Sequence, residues 1–122
     1  MGKKRILLVE DDEAICNALV KLIKTWGFDT IVAHDGREGL AKAKQEKPDL
    51  ILLDLGLPKL PGEELCRQIR KDEATQKIPI IMQTGKVSDT DKVIGRVIGA
   101  DYYLKKPYDL NELLVQINKL TV

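Results

Sequence analysis

The most informative segment of the sequence for predicting the fold is Pro48-Asp-Leu-Ile-Leu-Leu-Asp-Leu-Gly-Leu-Pro-Lys-Leu-Pro-Gly62. Its apolar run, residues 50–53, has no polar alternation, which is typical of a strand buried on both faces of a parallel sheet. Asp54 follows that run directly, and a loop rich in proline and glycine comes next. We therefore expect a carboxylate at the carboxyl edge of a buried sheet, where open α/β sheets bind their ligands.

Four more short apolar segments lie outward from this stretch, and each of the five is followed by a helical pattern. The other predicted strands are residues 6–9, 30–33, 80–83 and 102–105. The predicted helices cover approximately residues 15–26, 37–47, 63–71, 89–98 and 109–120. This alternation predicts a single three-layer α/β domain over residues 1–122, with a parallel sheet and right-handed crossovers that place helices on both faces.

Local signals refine the ends and inner faces of these helices. Asp11 or Asp12 is placed to cap the first helix, and Asp109 with Glu112 forms a capping box at the last one. The three-to-four spacing of apolar residues predicts buried helix faces. These faces include Ile15, Leu19, Leu22, Ile23 and Trp26 in the first helix, Leu40, Ala41 and Ala43 in the second, and Leu110, Leu113, Leu114, Ile117 and Leu120 in the last.

Composition limits the classes of partner. The chain has 122 residues, is 43% hydrophobic and carries a formal net charge of +1. It is therefore expected to bury a core without disulfides, and its charge gives no reason to expect nucleic acid or anionic membrane as a direct partner. The sequence has no apolar stretch near the roughly 20 residues that span a bilayer, and the run at 6–9 is too short for an export signal. We expect a cytoplasmic protein.

Polar residues stand just past four of the predicted strands. They are Glu10, Asp11 and Asp12 after the first strand, Asp54 after the third, Thr84 after the fourth and Lys106 after the fifth. Strand ends of a parallel sheet share one edge, so these side chains can converge. Converging carboxylates repel one another, and a divalent cation relieves that repulsion.

Magnesium suits such a group of acids. Mg²⁺ favours octahedral oxygen ligation through one or two carboxylates, waters and a phosphate. Asp12 or Asp11 supplies such ligands together with Asp54, and the backbone carbonyl of Gly56 adds another. Asp54 is then a carboxylate nucleophile able to form an acyl phosphate, and Lys106 is a compact cation suited to phosphate. The Thr84 hydroxyl is a hydrogen-bond donor.

The sequence resembles the receiver domain of two-component response regulators over nearly its whole length. The matching segments are Ile-Leu-Leu-Val-Glu-Asp-Asp at 6–12, Pro-Asp-Leu-Ile-Leu-Leu-Asp at 48–54 with Pro58 and Gly62, Pro-Ile-Ile-Met-Gln-Thr at 79–84, and Gly-Ala-Asp-Tyr-Tyr-Leu-Lys-Lys-Pro at 99–107. The resemblance implies a flavodoxin-like sheet of strand order 2-1-3-4-5.

The resemblance also implies roles for particular residues. Asp54 would be phosphorylated by a histidine kinase or a histidine phosphotransfer protein, to control an unknown downstream protein. The implied site residues are Asp11 and Asp12 as the acidic metal pair, Gly56 as the carbonyl ligand, Thr84 as the switch hydroxyl, Tyr103 as the switch aromatic and Lys106 as the phosphate-contacting lysine. It further implies a cis Lys106–Pro107 bond. Such a domain is a signalling unit that at most promotes its own phosphorylation and dephosphorylation.

Other functions fit the same fold. A degenerate receiver that acts as an unphosphorylated interaction scaffold would not need the intact set of Asp12, Asp54, Thr84 and Lys106. A metal-dependent hydrolase would need a general acid two residues after Asp54, where Gly56 stands. A flavin or nucleotide site would need a phosphate-binding loop after the first strand, where the sequence has acids instead.

Overall fold

The computed structural model describes residues 2–55, 57–84 and 99–122. The strands are β1 (Arg5–Val9), β2 (Asp29–Ala33), β3 (Leu50–Asp54), β4 (Ile80–Thr84) and β5 (Tyr102–Lys105). The helices within these residues are α1 (Glu13–Thr25), α2 (Gly36–Glu46), α3 (Gly62–Lys71) and α4 (Leu110–Leu120). The helix predicted over residues 89–98 lies outside the described residues.

The five strands form one parallel sheet in the order β2-β1-β3-β4-β5. This confirms the predicted α/β class and the flavodoxin-like order 2-1-3-4-5. The register pairs Leu8 with Leu52 and Asp54 with Gln83, so the ends of β1, β3 and β4 lie at one level of the sheet.

Alternation along the strands sends side chains into two separate apolar layers. One layer, which we call the α1/α4 layer, joins strand residues such as Leu8, Leu52 and Ile81 to Leu19 and Ile117. The opposite layer joins the intervening strand residues to helices α2 and α3. Each fully buried leucine or isoleucine contributes about 1.5–3 kcal/mol, so the two layers supply the main free energy of the fold.

Aspartates begin three of the described helices. Asp12 accepts from Ile15 N at 3.1 Å at α1, and Asp109 accepts from Asn111 N at 2.8 Å at α4. Asp35 caps α2 in the same way. The capping box predicted at α4 is wrong in one respect, because the Glu112 carboxylate accepts from the Tyr102 hydroxyl at 2.6 Å. That contact ties α4 to β5.

Three of the apolar residues predicted to be buried are exposed. They are Ile15, Ala41 and Leu110. Ile15 and Leu110 lie in the first turns of α1 and α4, beside the carboxyl edge of the sheet. Both side chains line one open groove, so the neighbouring elements cover them incompletely.

The loop after β3 packs closely on the start of α2. A Cβ atom on Gly36 would lie 2.0 Å from the Leu60 carbonyl oxygen, so a larger residue at this position forces the backbone apart. Lys59 adds an ion pair to Asp35 at 3.4 Å. These contacts hold the segment that follows Asp54 against the neighbouring crossover.

Among the helices of the described residues, none combines the length and the apolar character that crossing a membrane requires. The cytoplasmic location stays a prediction.

Candidate functional site

Three carboxylates meet at the carboxyl edge of β1 and β3. Oxygen atoms of Glu10, Asp11 and Asp54 all lie within 4.8 Å of one another. Two of these residues were predicted site residues, and the strand ends that carry them converge as expected. We call these three residues the acidic group.

Glu10 enters this group where Asp12 was predicted. Asp12 lies outside it and uses one carboxylate oxygen to cap α1. The sequence contained a signal for Glu10: Leu8 and Leu52 both lie in the α1/α4 layer, and the next residues on that face are Glu10 and Asp54. The acids that lie beside Asp54 are therefore Glu10 and Asp11, whereas the predicted metal pair was Asp11 and Asp12.

Lys106 reaches into the acidic group from the segment after β5. Its Nζ donates to Asp54 Oδ2 at 2.9 Å and lies 3.8 Å from Glu10 Oε1. The Lys106 side chain is 28% exposed and that of Asp54 15%, so this ion pair is only partly screened by water. The predicted proximity of Lys106 and Asp54 is observed.

Opposing electrostatic effects act on the buried carboxylate of Glu10. The residue is 1% exposed, and burial raises the pKa of its carboxyl group, as does the charge of Asp54. A hydrogen bond from Asp12 N and the charge of Lys106 act in the opposite direction. Among the described residues, Glu10 Oε1 has no hydrogen-bond partner. The ionised form of Glu10 therefore needs more positive charge than Lys106 provides.

The acidic group has the chemistry of a magnesium site. It offers only hard oxygen donors, and its carboxylates are close enough to share one ion. The buried Glu10 oxygen without a hydrogen-bond partner is a further reason to expect a cation at this point. The residues present fit Mg²⁺.

The other predicted site residues are only partly described. The Thr84 backbone ends β4 and pairs with Lys105, but its side chain lies outside the described residues, as does Gly56. Tyr103 is half-buried on β5 and packs against the α2/α3 side of the sheet. The predicted cis bond between Lys106 and Pro107 is present.

A mostly apolar groove with a volume of about 490 Å³ opens beside the acidic group. It runs between α1 and the segment after β5. Its lining includes the exposed side chains of Ile15 and Leu110, together with Gln83, Lys106 and Tyr108. An apolar surface therefore borders the site.

A family model for the response regulator receiver domain matches residues 6–118. The chain belongs to this family, as its sequence predicted, and is therefore a receiver domain of the two-component type. Receiver domains are signalling domains.

Particular relatives support this membership. The chain is 44% identical over 117 residues to the alkaline phosphatase synthesis transcriptional regulatory protein PhoP of Bacillus subtilis, and 43% identical over 116 residues to the DNA-binding dual master transcriptional regulator RpaA of Synechocystis. These alignments cover 96% and 95% of this chain and 48% of each relative, so the chain spans about half their length. A solved structure is also similar, the receiver domain of the sensor histidine kinase PA1611 from Pseudomonas aeruginosa, which was crystallised with magnesium in its active-site cleft. It compares with this chain at a TM-score of 0.89 and 29% sequence identity, over 99% of this chain and 98% of that one.

One prediction about partners is wrong in the light of these relatives. The sequence was taken to exclude direct nucleic-acid binding, whereas the relative RpaA is named as DNA-binding. The prediction used the net charge of this stretch alone. A near-neutral charge over these 122 residues has no bearing on the other half of a relative twice as long.

Replacing Glu10 by Gln is expected to stabilise the metal-free protein at neutral pH. Because folding raises the Glu10 pKa above its ordinary 4.5, the folded state binds more protons than the unfolded state between the two values. The wild-type free energy of unfolding therefore falls as pH rises through that window. Chemical denaturation in a chelator should show a Glu10→Gln gain at neutral pH that disappears below the ordinary pKa.

The exposed residue Glu73 provides the matched control. Glu73→Gln makes the same chemical change away from the acidic group and should alter stability little. A Glu10→Gln effect that is independent of pH, or a loss of stability at neutral pH, would contradict the electrostatic explanation.

Proposed function

We propose that this receiver domain, taken as one unit over residues 1–122, is a phosphoacceptor switch whose acceptor is Asp54. The proposal rests mainly on one observation, the Lys106 ammonium 2.9 Å from Asp54 Oδ2 within a group of three carboxylates. A cation beside the acceptor can pair with a carboxylate before transfer and with a phosphoryl oxygen after it.

The metal in this proposal is held by Glu10, Asp11 and Asp54, with the carbonyl of Gly56 as the further ligand that the resemblance implies. When bound, Mg²⁺ supplies positive charge that neutralises developing charge on the phosphoryl group. The magnesium described for the related PA1611 receiver supports this choice of ion.

The transfer itself is a displacement at phosphorus. A carboxylate oxygen of Asp54 forms a new O–P bond, and the P–N bond of the phosphohistidine donor breaks, leaving its electron pair on the imidazole. The carboxylate carries no proton to remove, so this chain needs no general base. Lys106 orients the transferred group and balances part of its charge.

The switch in this proposal uses Thr84 and Tyr103. Phosphorylation adds charge and strong acceptor oxygens beside the end of β4. The Thr84 hydroxyl would move to donate to the new group, and the half-buried ring of Tyr103 would turn inward behind it. The change at β5 and its neighbours would then alter the affinity for a downstream partner.

The degenerate scaffold is the second candidate. It is disfavoured because Asp54 and Lys106 are both present and in contact, together with two further acids. Burial and the charge of Asp54 raise the pKa of Glu10 and so reduce stability at neutral pH. Phosphoacceptor chemistry explains why such a site is present, whereas a scaffold does not require it.

Incubation with acetyl phosphate and Mg²⁺ should phosphorylate the wild-type protein. Intact mass spectrometry is expected to show one adduct of about 80 Da, the mass of the phosphoryl group. The adduct should be absent in Asp54→Asn and after removal of the metal by a chelator. A folded wild-type protein that gains no mass would instead support the scaffold.

Magnesium affinity distinguishes Glu10 from Asp12 as a ligand. Glu10→Gln and Asp11→Asn should each weaken Mg²⁺ binding, measured by calorimetry, on the order of tenfold or more, because each removes a charged oxygen donor. Asp12→Asn retains a side chain that can cap α1 and should leave the affinity within a few-fold of wild type. The reverse pattern would restore Asp12 to the metal pair.

Phosphorylation should change the environment of the Tyr103 ring. Ring carbon and proton signals of Tyr103, recorded by NMR with and without acetyl phosphate, are expected to shift when the adduct forms. The adjacent Tyr102, held by Glu112 on α4, serves as the internal control and should shift less. Unchanged Tyr103 signals in a fully phosphorylated sample would remove the aromatic part of the switch.

A further inference from the structure

Gln83 is a buried polar residue at the level of the acceptor. It is 0% exposed on β4, and it pairs with Asp54 across the sheet. Ile81 and Leu52, two residues earlier on the respective strands, both lie in the α1/α4 layer. Gln83 and Asp54 therefore project from the same face of neighbouring strands.

The Gln83 amide is bonded to the segment that carries Lys106. Its Oε1 accepts from the Tyr108 hydroxyl at 2.7 Å, and Tyr108 is only two residues after Lys106. Lys106 in turn donates to Asp54. These contacts close a ring that runs from Asp54 through Lys106 and Tyr108 to Gln83 and back across the sheet.

The hydrogen bond has a defined direction. Burial, and then the charges of Glu10 and Asp54, raise the pKa of Tyr108 to about 12. The phenol therefore stays protonated and able to donate, and in the structure the Tyr108 hydroxyl donates to the Gln83 oxygen. In this arrangement Gln83 Nε2 lies at the other end of the amide and has no hydrogen-bond partner among the described residues.

We propose that the Gln83–Tyr108 hydrogen bond positions the segment after β5, and through it the Lys106 ammonium, for phosphoryl transfer to Asp54. Both are positioning residues, and the proposal rests on the function proposed for Asp54 and Lys106. Gln83 and Tyr108 also line the open groove beside the site, so loss of their hydrogen bond exposes the segment after β5 to water. Lys106 would then sample positions away from the acceptor.

The alternative is a bond that serves stability alone. Tyr108 also packs against the α1/α4 layer, and a buried amide left without its partner destabilises a protein wherever it lies. A pair of substitutions separates the two roles. Tyr108→Phe leaves the Gln83 oxygen unsatisfied, whereas Gln83→Leu combined with Tyr108→Phe replaces the polar pair by an apolar one of similar size.

The experiment measures phosphorylation by acetyl phosphate at saturating Mg²⁺, with urea unfolding of each variant. Tyr108→Phe is expected to lower the maximal rate on the order of tenfold, because misplaced reacting groups slow transfer strongly. The double variant should recover stability but stay slow. Recovery of the wild-type rate in the double variant would overturn the proposal, because the bond would then have only a structural role.

Tyr102→Phe is the matched control, since it removes a tyrosine hydrogen bond of 2.6 Å between β5 and α4 away from the acceptor. It should leave the rate unchanged, and an equal loss would overturn the specific role of Tyr108.

Amide hydrogen exchange at Lys106 and Tyr108, in unphosphorylated protein, tests the pair independently of any transfer. Exchange should be faster in Tyr108→Phe and in the double variant, and unchanged exchange would overturn the positioning role. This measurement does not depend on phosphorylation. A wild-type protein that accepts no phosphoryl group would by itself count only against the proposed function.

Discussion

Repulsion among three carboxylates is the constraint on which the site depends. The oxygens of Glu10, Asp11 and Asp54 lie within 4.8 Å of one another. At such distances each pair of unit charges repels by roughly 1 kcal/mol in bulk water and about 4 kcal/mol at the effective dielectric of a protein surface. Lys106 offsets part of this with a single charge. The remaining excess of negative charge favours a divalent cation, and that cation in turn makes the edge attractive to an anionic phosphoryl donor.

The sheet holds these acids together because apolar burial outweighs their repulsion. Leu8 and Leu52, directly below Glu10 and Asp54 on the same face, are fully buried, and each contributes about 1.5–3 kcal/mol. The same applies to the buried strand residues of both layers. The strands cannot move apart to relieve the acids without exposing those side chains. The strain at the edge is therefore retained until a cation reduces it.

Local patterns in the sequence, the buried strands and the acids after them, predicted the sheet and the converging edge, and the resemblance to receiver domains predicted the strand order. The sequence did not predict which acid beside Asp11 joins Asp54. That choice depends on the register of Leu8 with Leu52, a contact between distant segments, and on the use of Asp12 as a helix cap. The resemblance implied Asp11 and Asp12 as the acidic pair, whereas the carboxylates that lie close to Asp54 are those of Glu10 and Asp11. Periodicity likewise failed at Ile15 and Leu110, which line an open groove where neighbouring elements cover them incompletely.

Lys106 joins a backbone segment that is held in place to a charged side chain that can change partners. Its ammonium lies near two carboxylates, at 2.9 and 3.8 Å, and a four-carbon stem lets it move between partners without backbone motion. If residues 106–108 were not anchored, ordering their backbone during transfer would cost about 3–6 kcal/mol, at 1–2 kcal/mol per residue. The Tyr108 bond to Gln83 fixes the far end of this segment before transfer. Only the lysine side chain then has to be ordered around the phosphoryl group, at a cost of about 2 kcal/mol. Anchoring therefore removes part or all of the backbone cost, and each part of about 1.4 kcal/mol corresponds to about tenfold in rate.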